Sequence, residues 1–533
     1  MNLGQKEFHI APMIDVSTIE FRYFTRLLTK RAVIWNQMVV AETLVHRSRN
    51  HKEKKCKENA SCELSSSGSD DEEIELIEDL IKYCGWWDGH EGVSPHPTVC
   101  QIGSNDPKEA AFATRVAQKC GYDSIDLNCG CPSDRVAGRC FGAALMKDPD
   151  AAAEIVSSMV QTAQSIGSNK FPVSVKTRIG VDENDTFEFI ASFIQCLVDA
   201  GCNQFIIHAR KVHTQGLSPA QNRDIPPIDY PRAFRLMETF PHCSFVMNGG
   251  IMSLEHAREV AFGSATKFDE CGGMEHESCA LNDAGDDHAV PCQRCDLPQG
   301  SCLSPPHIAP KNLRGVMVAR LARDRPADLA DVDRYFYGEA SNPCNSRRDL
   351  MERYISFLEK VYPRRCCDDD ETNTLGMVRE MQTPIIHNRQ CCSICQEFRG
   401  ENGEESITLH EDGEIAPCEN PLEVQPSMTI SAKPQQKQQG GKRSRRHERN
   451  NSGAKIVTRI IDRALQPTWG ILAGVSGKNV FCRVSHELSR DKAVRNCGPG
   501  YILWRAMQSV SDDIWDKPFE LSGGKTTTYY PTK

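Results

Sequence analysis

Asp126-Leu127-Asn128-Cys129-Gly130-Cys131-Pro132-Ser133-Asp134-Arg135 is the stretch on which the fold turns. A short apolar run, Ser124 to Leu127, stops in a Gly-Cys-Pro turn and passes into a basic, glycine-bearing loop with Arg135, Gly138, Arg139 and Gly142. A strand that ends in a turn carrying a thiol, flanked by amide and hydroxyl groups, is how a barrel enzyme presents a reactive residue at its mouth. Judged alone, this turn is better read as a plain strand-to-helix connection, with Cys129 and Cys131 as small apolar residues. The rest of the chain changes that balance.

Seven further strand candidates surround it. Phe8 to Ala11 ends in Pro12-Met13, Val33 to Val40 follows, and Thr98 to Gly103 carries Gln101. Pro172 to Ile179 ends in Lys176-Thr177-Arg178, Gln204 to Arg210 ends in His208-Ala209-Arg210, Cys243 to Met247 ends in Asn248-Gly249-Gly250, and Arg314 to Ala319 ends in Arg320. Helical spacing separates them: Phe21 to Leu28, about Asn105 to Lys119, Thr186 to Asp199, and Pro231 to Thr239. Strands alternating with helices imply a parallel sheet with right-handed crossovers, and eight such strands close a (β/α)8 TIM barrel. Pro12, Met13, Gln101, Cys131, Lys176, Arg178, His208, Asn248, Gly249 and Arg320 then fall at the C-terminal strand ends. A buried, satisfied histidine is the default for His208 taken singly, but so many polar strand ends in one place are the strongest sign of an active site.

Three polar insertions interrupt this pattern, at about 50–97, 264–311 and 366–454. The first, with Ser65-Ser66-Ser67-Gly68-Ser69-Asp70-Asp71-Glu72-Glu73, has too little apolar surface to offset chain entropy and is expected to be disordered or weakly helical. The second precedes the eighth strand on the face opposite the mouth and should leave catalysis alone. It holds Cys279, Cys292, Cys295 and Cys302; Cys292-x-x-Cys295 has the spacing of half a zinc site, but the other pair lacks it, which favours a cysteine-bearing loop. Cys391, Cys392 and Cys395 in the third insertion are read the same way, so no metal is expected. The basic run Gly440 to Arg449 is open between a nuclear address, a mobile phosphate contact and a solvated linker. Helical pattern returns at Arg347 to Tyr362, then at Lys455 to Leu465, continuing past Gly474 to about Glu487 with Lys478 and Arg483 exposed. The domains expected are therefore a barrel over 1–335, a helical unit over 336–490, and a C-terminal tail over 491–533 without functional signal.

The chain has 533 residues, a net charge of -9 and 25 cysteines. Such a length with no signal peptide ahead of the first strand argues for a reducing compartment rather than a disulfide framework. No apolar run reaches the ~18 residues needed to span a bilayer. A soluble, cytoplasmic monomer is expected, with any polyanion met by a local basic patch rather than by the overall charge.

Six stretches together carry a resemblance. They are Ala11-Pro12-Met13, Asn128-x-Gly-Cys-Pro-Ser133, Val175-Lys-Thr-Arg-Ile-Gly180, His208-Ala-Arg-Lys211, Gly216-Leu-Ser-Pro219 and Asn222-Arg-Asp-Ile-Pro-Pro227. This set resembles the tRNA-dihydrouridine synthases, the last three stretches resembling the DusA-type branch. The resemblance covers most of 8–262, resumes at 313–363 and is fainter over 455–488. It implies an FMN-containing barrel followed by a small helical domain, tRNA bound across both, and NADPH as reductant of the flavin. It further implies hydride addition from the flavin to C6 of a D-loop uridine and protonation of C5 by a cysteine. Cys131 fits that acid, since an ordinary thiol pKa of ~8.5 keeps its proton at neutral pH; alternation along the strand sends Cys129 to the other side. By the same resemblance Pro12, Met13 and Gln101 line the flavin ring, and Lys176 and His208 contact it. Asn248, Gly249, Gly250, Ala319 and Arg320 hold its phosphate, while Asn128, Arg178 and Arg210 hold the uridine and Lys478 and Arg483 contact tRNA. The chain departs from the family at Ala319 (usually glycine), at Gln37 (usually glutamate), and at His213-Thr214 (usually a larger apolar pair). A tRNA-binding relative with impaired catalysis, or a flavin barrel acting on a free pyrimidine, are the competing functions.

Overall fold

The computed structural model describes residues 6–58, 78–89, 92–132, 141–165, 171–263, 309–363 and 457–519. Nine parallel strands form one sheet in the order β2-β1-β9-β8-β7-β6-β5-β4-β3, and a further β2–β4 pairing closes it into a ring. They are β1 Glu7–Ile10, β2 Val33–Trp35, β3 Val39–Val40, β4 Thr98–Gly103, β5 Ser124–Cys129, β6 Val173–Arg178, β7 Gln204–His208, β8 Ser244–Asn248 and β9 Leu313–Val318. β2 and β3 both lie on β4, Ile34 opposite Thr98 and Val39 opposite Ile102, so nine strands make eight staves. The single strand expected over Val33 to Val40 is broken because the Asn36 side chain replaces the backbone there: its Oδ1 accepts from the Gln101 N–H at 2.7 Å.

Helices flank the ring as the sequence spacing predicts. Pro107–Cys120 starts on Asp106, whose carboxylate accepts from the Lys108 and Glu109 N–H groups, and stops at Gly121 in the left-handed region (φ 102°). Phe187–Asp199 is capped by Thr186 and Tyr230–Thr239 by Asp229. Inside the ring, Ala11, Trp35, Val99, Ile206, Val246 and Met317 pack together below the mouth, with Val33 and Ala319 against them. A separate, larger apolar layer lies between strands and helices.

Three further expectations need correction. The first insertion is ordered on both flanks: Ala41–Glu58 and Glu78–Cys84 are helices, and Leu80, Cys84 and Trp86 are buried. Buried Arg26 ties this segment to the barrel, donating to the carbonyls of Ala32, Pro95 and Pro97 at 2.8, 3.2 and 2.8 Å. The residues set aside as a tail also fold, as Gly498–Met507 and Asp512–Asp516 with Tyr501, Ile502, Leu503 and Trp515 buried. Their apolar spacing was present but short and broken by Gly and Pro. Helix Arg347–Val361 matches its expectation, whereas the helix expected through Gly474 is interrupted by positive φ at Gly474 and Gly477 and restarts as Lys478–Arg490. The other two insertions, with their cysteines and the Gly440 to Arg449 run, lie outside the described residues. Among the described residues no helix is long and apolar enough to cross a membrane.

The helical appendage packs on helix Ile19–Leu28. The Tyr23 ring stacks on Phe357 at 3.8 Å and 11°, and buried Glu20 accepts from the Tyr362 hydroxyl and from Arg463 Nη2 at 3.2 Å. Ring closure itself depends on Gly315, where an added Cβ would lie 2.1 Å from the Glu7 carbonyl oxygen of β1. Gly315→Ala is therefore expected to destabilise the protein by about 1–3 kcal/mol through forced separation of β1 and β9, measurable as a lower midpoint in urea unfolding; an unchanged midpoint would contradict this account of closure.

Candidate active site

Alternation along each strand sends every second side chain into the ring, and the last inward position of each strand reaches the mouth. On β5 these positions are Asp126 and Asn128, on β6 Ser174, Lys176 and Arg178, on β7 His208, and on β8 Asn248. Cys131 follows β5 in the turn and is half-buried. Its placement is set by Asn128, whose Oδ1 accepts from the N–H groups of Gly130 and Cys131 at 3.1 and 3.0 Å. Cys129, two residues earlier, is fully buried, and burial holds its thiol pKa well above the usual value, as expected for a packing residue. The loop residues Ser133 to Arg139 lie outside the described residues.

Beneath the turn is a polar column. Asn128 Nδ2 donates to Gln101 Oε1 at 3.0 Å, Gln101 Nε2 donates to Asp126 Oδ2 at 2.8 Å, and Ser174 Oγ donates to Asp126 Oδ1 at 2.8 Å. Burial pushes the Asp126 carboxyl up to about 7, against the stabilising bonds from Gln101 and Ser174 and the charge of Lys176. Burial, with Arg178 nearby, lowers Lys176 to about 8, while Asp126 and Cys131 pull it upward. No hydrogen bond or ion pair within the described residues engages the Lys176 ammonium. His208 is held well below its usual value by burial and by Arg178, Lys176, Arg210 and Arg320, so at neutral pH it is an uncharged imidazole.

The arginines at the mouth are more committed than expected. Arg178 donates through Nε to the Gly130 carbonyl at 3.3 Å and through Nη1 to the Lys211 and Asn222 carbonyls at 3.1 and 2.9 Å. Arg210 Nη1 donates to the Pro226 and Asp224 carbonyls. Both guanidiniums thus build the walls of the mouth, because a fork of N–H donors satisfies loop carbonyls that have no strand partner; among the described residues no bond engages Arg178 Nη2, and Arg210 Nε is buried without an acceptor. Asn248 Nδ2 likewise donates to the Met317 carbonyl at 2.8 Å and joins β8 to β9.

Gly249 and Gly250 follow with φ of 116° and 69°, and a Cβ on Gly249 would stand 2.8 Å from His208 Cδ2. Only glycine permits this backbone to pass under the imidazole. Next to it Arg320 Nη1 meets Asp224 Oδ1 at 2.6 Å. Ala319 sits at φ -129° with its methyl against the barrel interior, so the departure from glycine brings no backbone strain. Gln37 Oε1 accepts from the Asp15 N–H at 3.1 Å, and Ser17 Oγ from the Met13 N–H at 3.0 Å, so Gln37 and Ser17 brace the loop that carries Pro12 and Met13. Lys478 and Arg483 occupy helix Lys478–Arg490 of the appendage, Arg483 exposed and 3.6 Å from Glu487.

Sequence reasoning missed three residues. Asp126 lay inside the quoted motif, and an acid at an inward position between Ile125 and Leu127 was its signal. Asn222 is buried and knits the 213–222 loop, donating to the His213 carbonyl at 2.9 Å and accepting from its N–H at 2.8 Å. Arg223 is half-buried, its pKa lowered by burial and by Arg323 and Arg320.

A parallel barrel that gathers a thiol, a desolvated lysine, a neutral histidine and a glycine cradle at one mouth defines a (β/α)8-barrel enzyme. Residues 9–265 match the family model of the dihydrouridine synthases. The chain is 31% identical over 352 residues to the tRNA-dihydrouridine(20/20a) synthase of Vibrio vulnificus, covering 66% of this chain and 79% of that protein. It is 37% identical over 354 residues to the protein of the same name from Shewanella oneidensis (66% and 78%), and 39% over 252 residues to that of Pasteurella multocida (47% and 64%). The chain belongs to the tRNA-dihydrouridine synthase family, in its DusA-type branch.

The Asp126 shift has a measurable consequence. Its carboxyl binds a proton more tightly in the folded chain than at its ordinary value of 3.8, so the stability it contributes is complete below 3.8 and is lost as pH rises through about 7. The thermal stability of the unsubstituted protein relative to Asp126→Asn should accordingly fall across that window. A flat difference would mean that the carboxyl ionises normally.

Proposed function

We propose that this protein is an FMN-dependent tRNA-dihydrouridine synthase that reduces a D-loop uridine to 5,6-dihydrouridine, with NADPH as reductant. The observation that carries this is the half-buried Cys131 thiol held by Asn128 above Lys176 and His208 at the same mouth. The residues present fit a flavin. Lys176 is a desolvated cation that no hydrogen bond or ion pair engages among the described residues, and the Gly249-Gly250 backbone leaves a space beside His208 that any Cβ would fill.

Pro12, Met13 and Gln101 would line the ring, Lys176 and His208 would hold its pyrimidine edge, and Gly249, Gly250 and Arg320 its phosphate, at the usual phosphate position after strands seven and eight. Asn248 and Ala319 shape that end from β8 and β9. When bound, the flavin supplies the hydride, received from NADPH and delivered to C6 of the uracil. Cys131 gives the accompanying proton to C5, leaving a thiolate that solvent reprotonates, so that two hydrogens are added across the C5–C6 bond. Lys176, positive at neutral pH, would favour negative charge on the ring held against it. His208, being neutral, serves as a hydrogen-bonding group and not as a cation. Asn128 and Arg178, through its Nη2, orient the base, and Arg210 holds the wall behind it. The uridine must leave the stack to enter, at a cost of a few kcal/mol that is smallest in a loop. Lys478 and Arg483 lie on the appendage, where they would meet tRNA phosphates. A soluble cytoplasmic monomer is the state in which this chain would act.

Cys131→Ala should retain flavin content and reduction by NADPH while dihydrouridine formation on tRNA falls by roughly 10²–10⁴-fold, the usual worth of a positioned acid. Unimpaired dihydrouridine formation would remove Cys131 from the acid role. A colourless protein that does not take up FMN would instead favour a tRNA-binding relative without catalysis.

A further inference from the structure

We infer that Asp126, buried in the barrel below the mouth, is a positioning residue that sets the orientation of the Cys131 turn and keeps the Lys176 ammonium protonated. The inference deepens the proposed function and rests on it for the roles of Cys131 and Lys176.

The first arm is a matter of hydrogen-bond polarity. An ionised carboxylate can only accept, so the two groups facing Asp126 must donate: Ser174 through its hydroxyl, and Gln101 through its amide nitrogen, each at 2.8 Å. That choice turns the Gln101 amide so that Oε1 faces Asn128. Asn128 must then present its own NH2, which leaves Oδ1 pointing at the backbone N–H groups of Gly130 and Cys131. The backbone N–H groups at one end can only donate and a carboxylate at the other can only accept, so the two amides between them are held in one sense from both ends. Their far end is the peptide that carries the thiol.

The second arm is electrostatic. Lys176 is adjacent to Asn128 in the β5–β6 register, as Ser174 is to Asp126. Within the described residues no group bonds the ammonium. The groups that sense the Asp126 charge are Lys176 on β6, Cys129 on β5 and Cys202 ahead of β7. Cys129 and Cys202 are buried thiols whose own pKa values are raised, by burial first, and they stay neutral. Arg178, Cys131 and His208 also face Lys176: Arg178 repels a proton from it, Cys131 attracts one, and His208, held well below its usual value, stays uncharged. Where it is ionised, above about 7, the Asp126 carboxylate is the negative charge that offsets burial and Arg178 at Lys176. A protonated Asp126 would weaken both arms at once: Lys176 would lose its counter-charge, and the amide column would be held from its backbone end alone.

The test compares the full-length protein with Asp126→Asn, and uses chemical labelling that does not depend on turnover. Trace acetylation of Lys176 across pH, read by mass spectrometry, gives the midpoint of its deprotonation. Removing the carboxylate should move that midpoint to lower pH by about one unit, the ordinary scale of a near-charge effect. Alkylation of Cys131 by iodoacetamide should quicken several-fold, because an asparagine at 126 can show either its oxygen or its nitrogen to Gln101. A merely structural Asp126 would alter folding and leave both readouts at their unsubstituted values in whatever folded protein is recovered, and that result overturns the inference. If Asp126→Asn does not fold, Ser174→Ala serves: it keeps the charge but removes a bond that favours it, so Asp126 takes its proton at higher pH and the Lys176 profile distorts on its acid side. An undistorted Ser174→Ala profile would equally overturn the inference. Flavin content and dihydrouridine formation by the unsubstituted protein, measured alongside, test the proposed function separately.

Discussion

Because β1 is hydrogen-bonded to β2 on one side and to β9 on the other, the sheet has no edge and every second residue of eight staves is forced into one shared interior. That interior is narrow. It is filled low down by Trp35, Met317 and small apolar neighbours, so polar side chains are admitted only where they can bond one another or reach the mouth. The chemistry at the C-terminal end follows from this constraint. Asp126, Gln101 and Asn128 satisfy each other along one wall, and Lys176 and His208, without such partners among the described residues, are left desolvated with depressed pKa values. Unlike a surface lysine, Lys176 therefore pairs readily with any anionic group that enters.

A second consequence concerns the walls. Loops after β6 and β7 leave the sheet and lose their strand partners, yet their carbonyls remain near the interior. Arg178 and Arg210 supply the missing donors, and Asn222 does the same for the loop that carries His213 and Thr214. Among the described residues, the loops after β6 and β7 are consequently an arginine-braced part of the rim. The appendage joins the barrel through Glu20, Tyr23 and the 466–470 turn, where Gly470 is pressed against Asp324 and Pro326. That contact sets the helices beside the segment that follows Arg320.

Much of this was legible in the chain because it rests on local rules. Alternation along a strand put Asn128, Lys176, Arg178 and His208 on one side, and Pro, Gly, Asp and Thr marked where helices begin and end. Other features were hidden because they depend on partners distant in sequence. Asn36 breaks β2 from β3 by reaching Gln101, Arg26 fastens the 78–97 segment by reaching Pro95 and Pro97, and Glu20 engages Tyr362 and Arg463. The arginines of the mouth were recognised as positive groups but not as wall-builders, since nothing in their spacing reveals which carbonyls lack partners. Asp126 was passed over for a similar reason: a single acid in an apolar strand shows its meaning only when Gln101, Ser174 and Lys176 are seen around it.

The most direct measurement is a map of dihydrouridine across the total tRNA of a host that lacks its own dihydrouridine synthases, with and without this protein. The account predicts dihydrouridine at one or more D-loop positions only when the protein is present, and its loss with Cys131→Ala. Folded, flavin-bearing protein that leaves every tRNA uridine unreduced would contradict it.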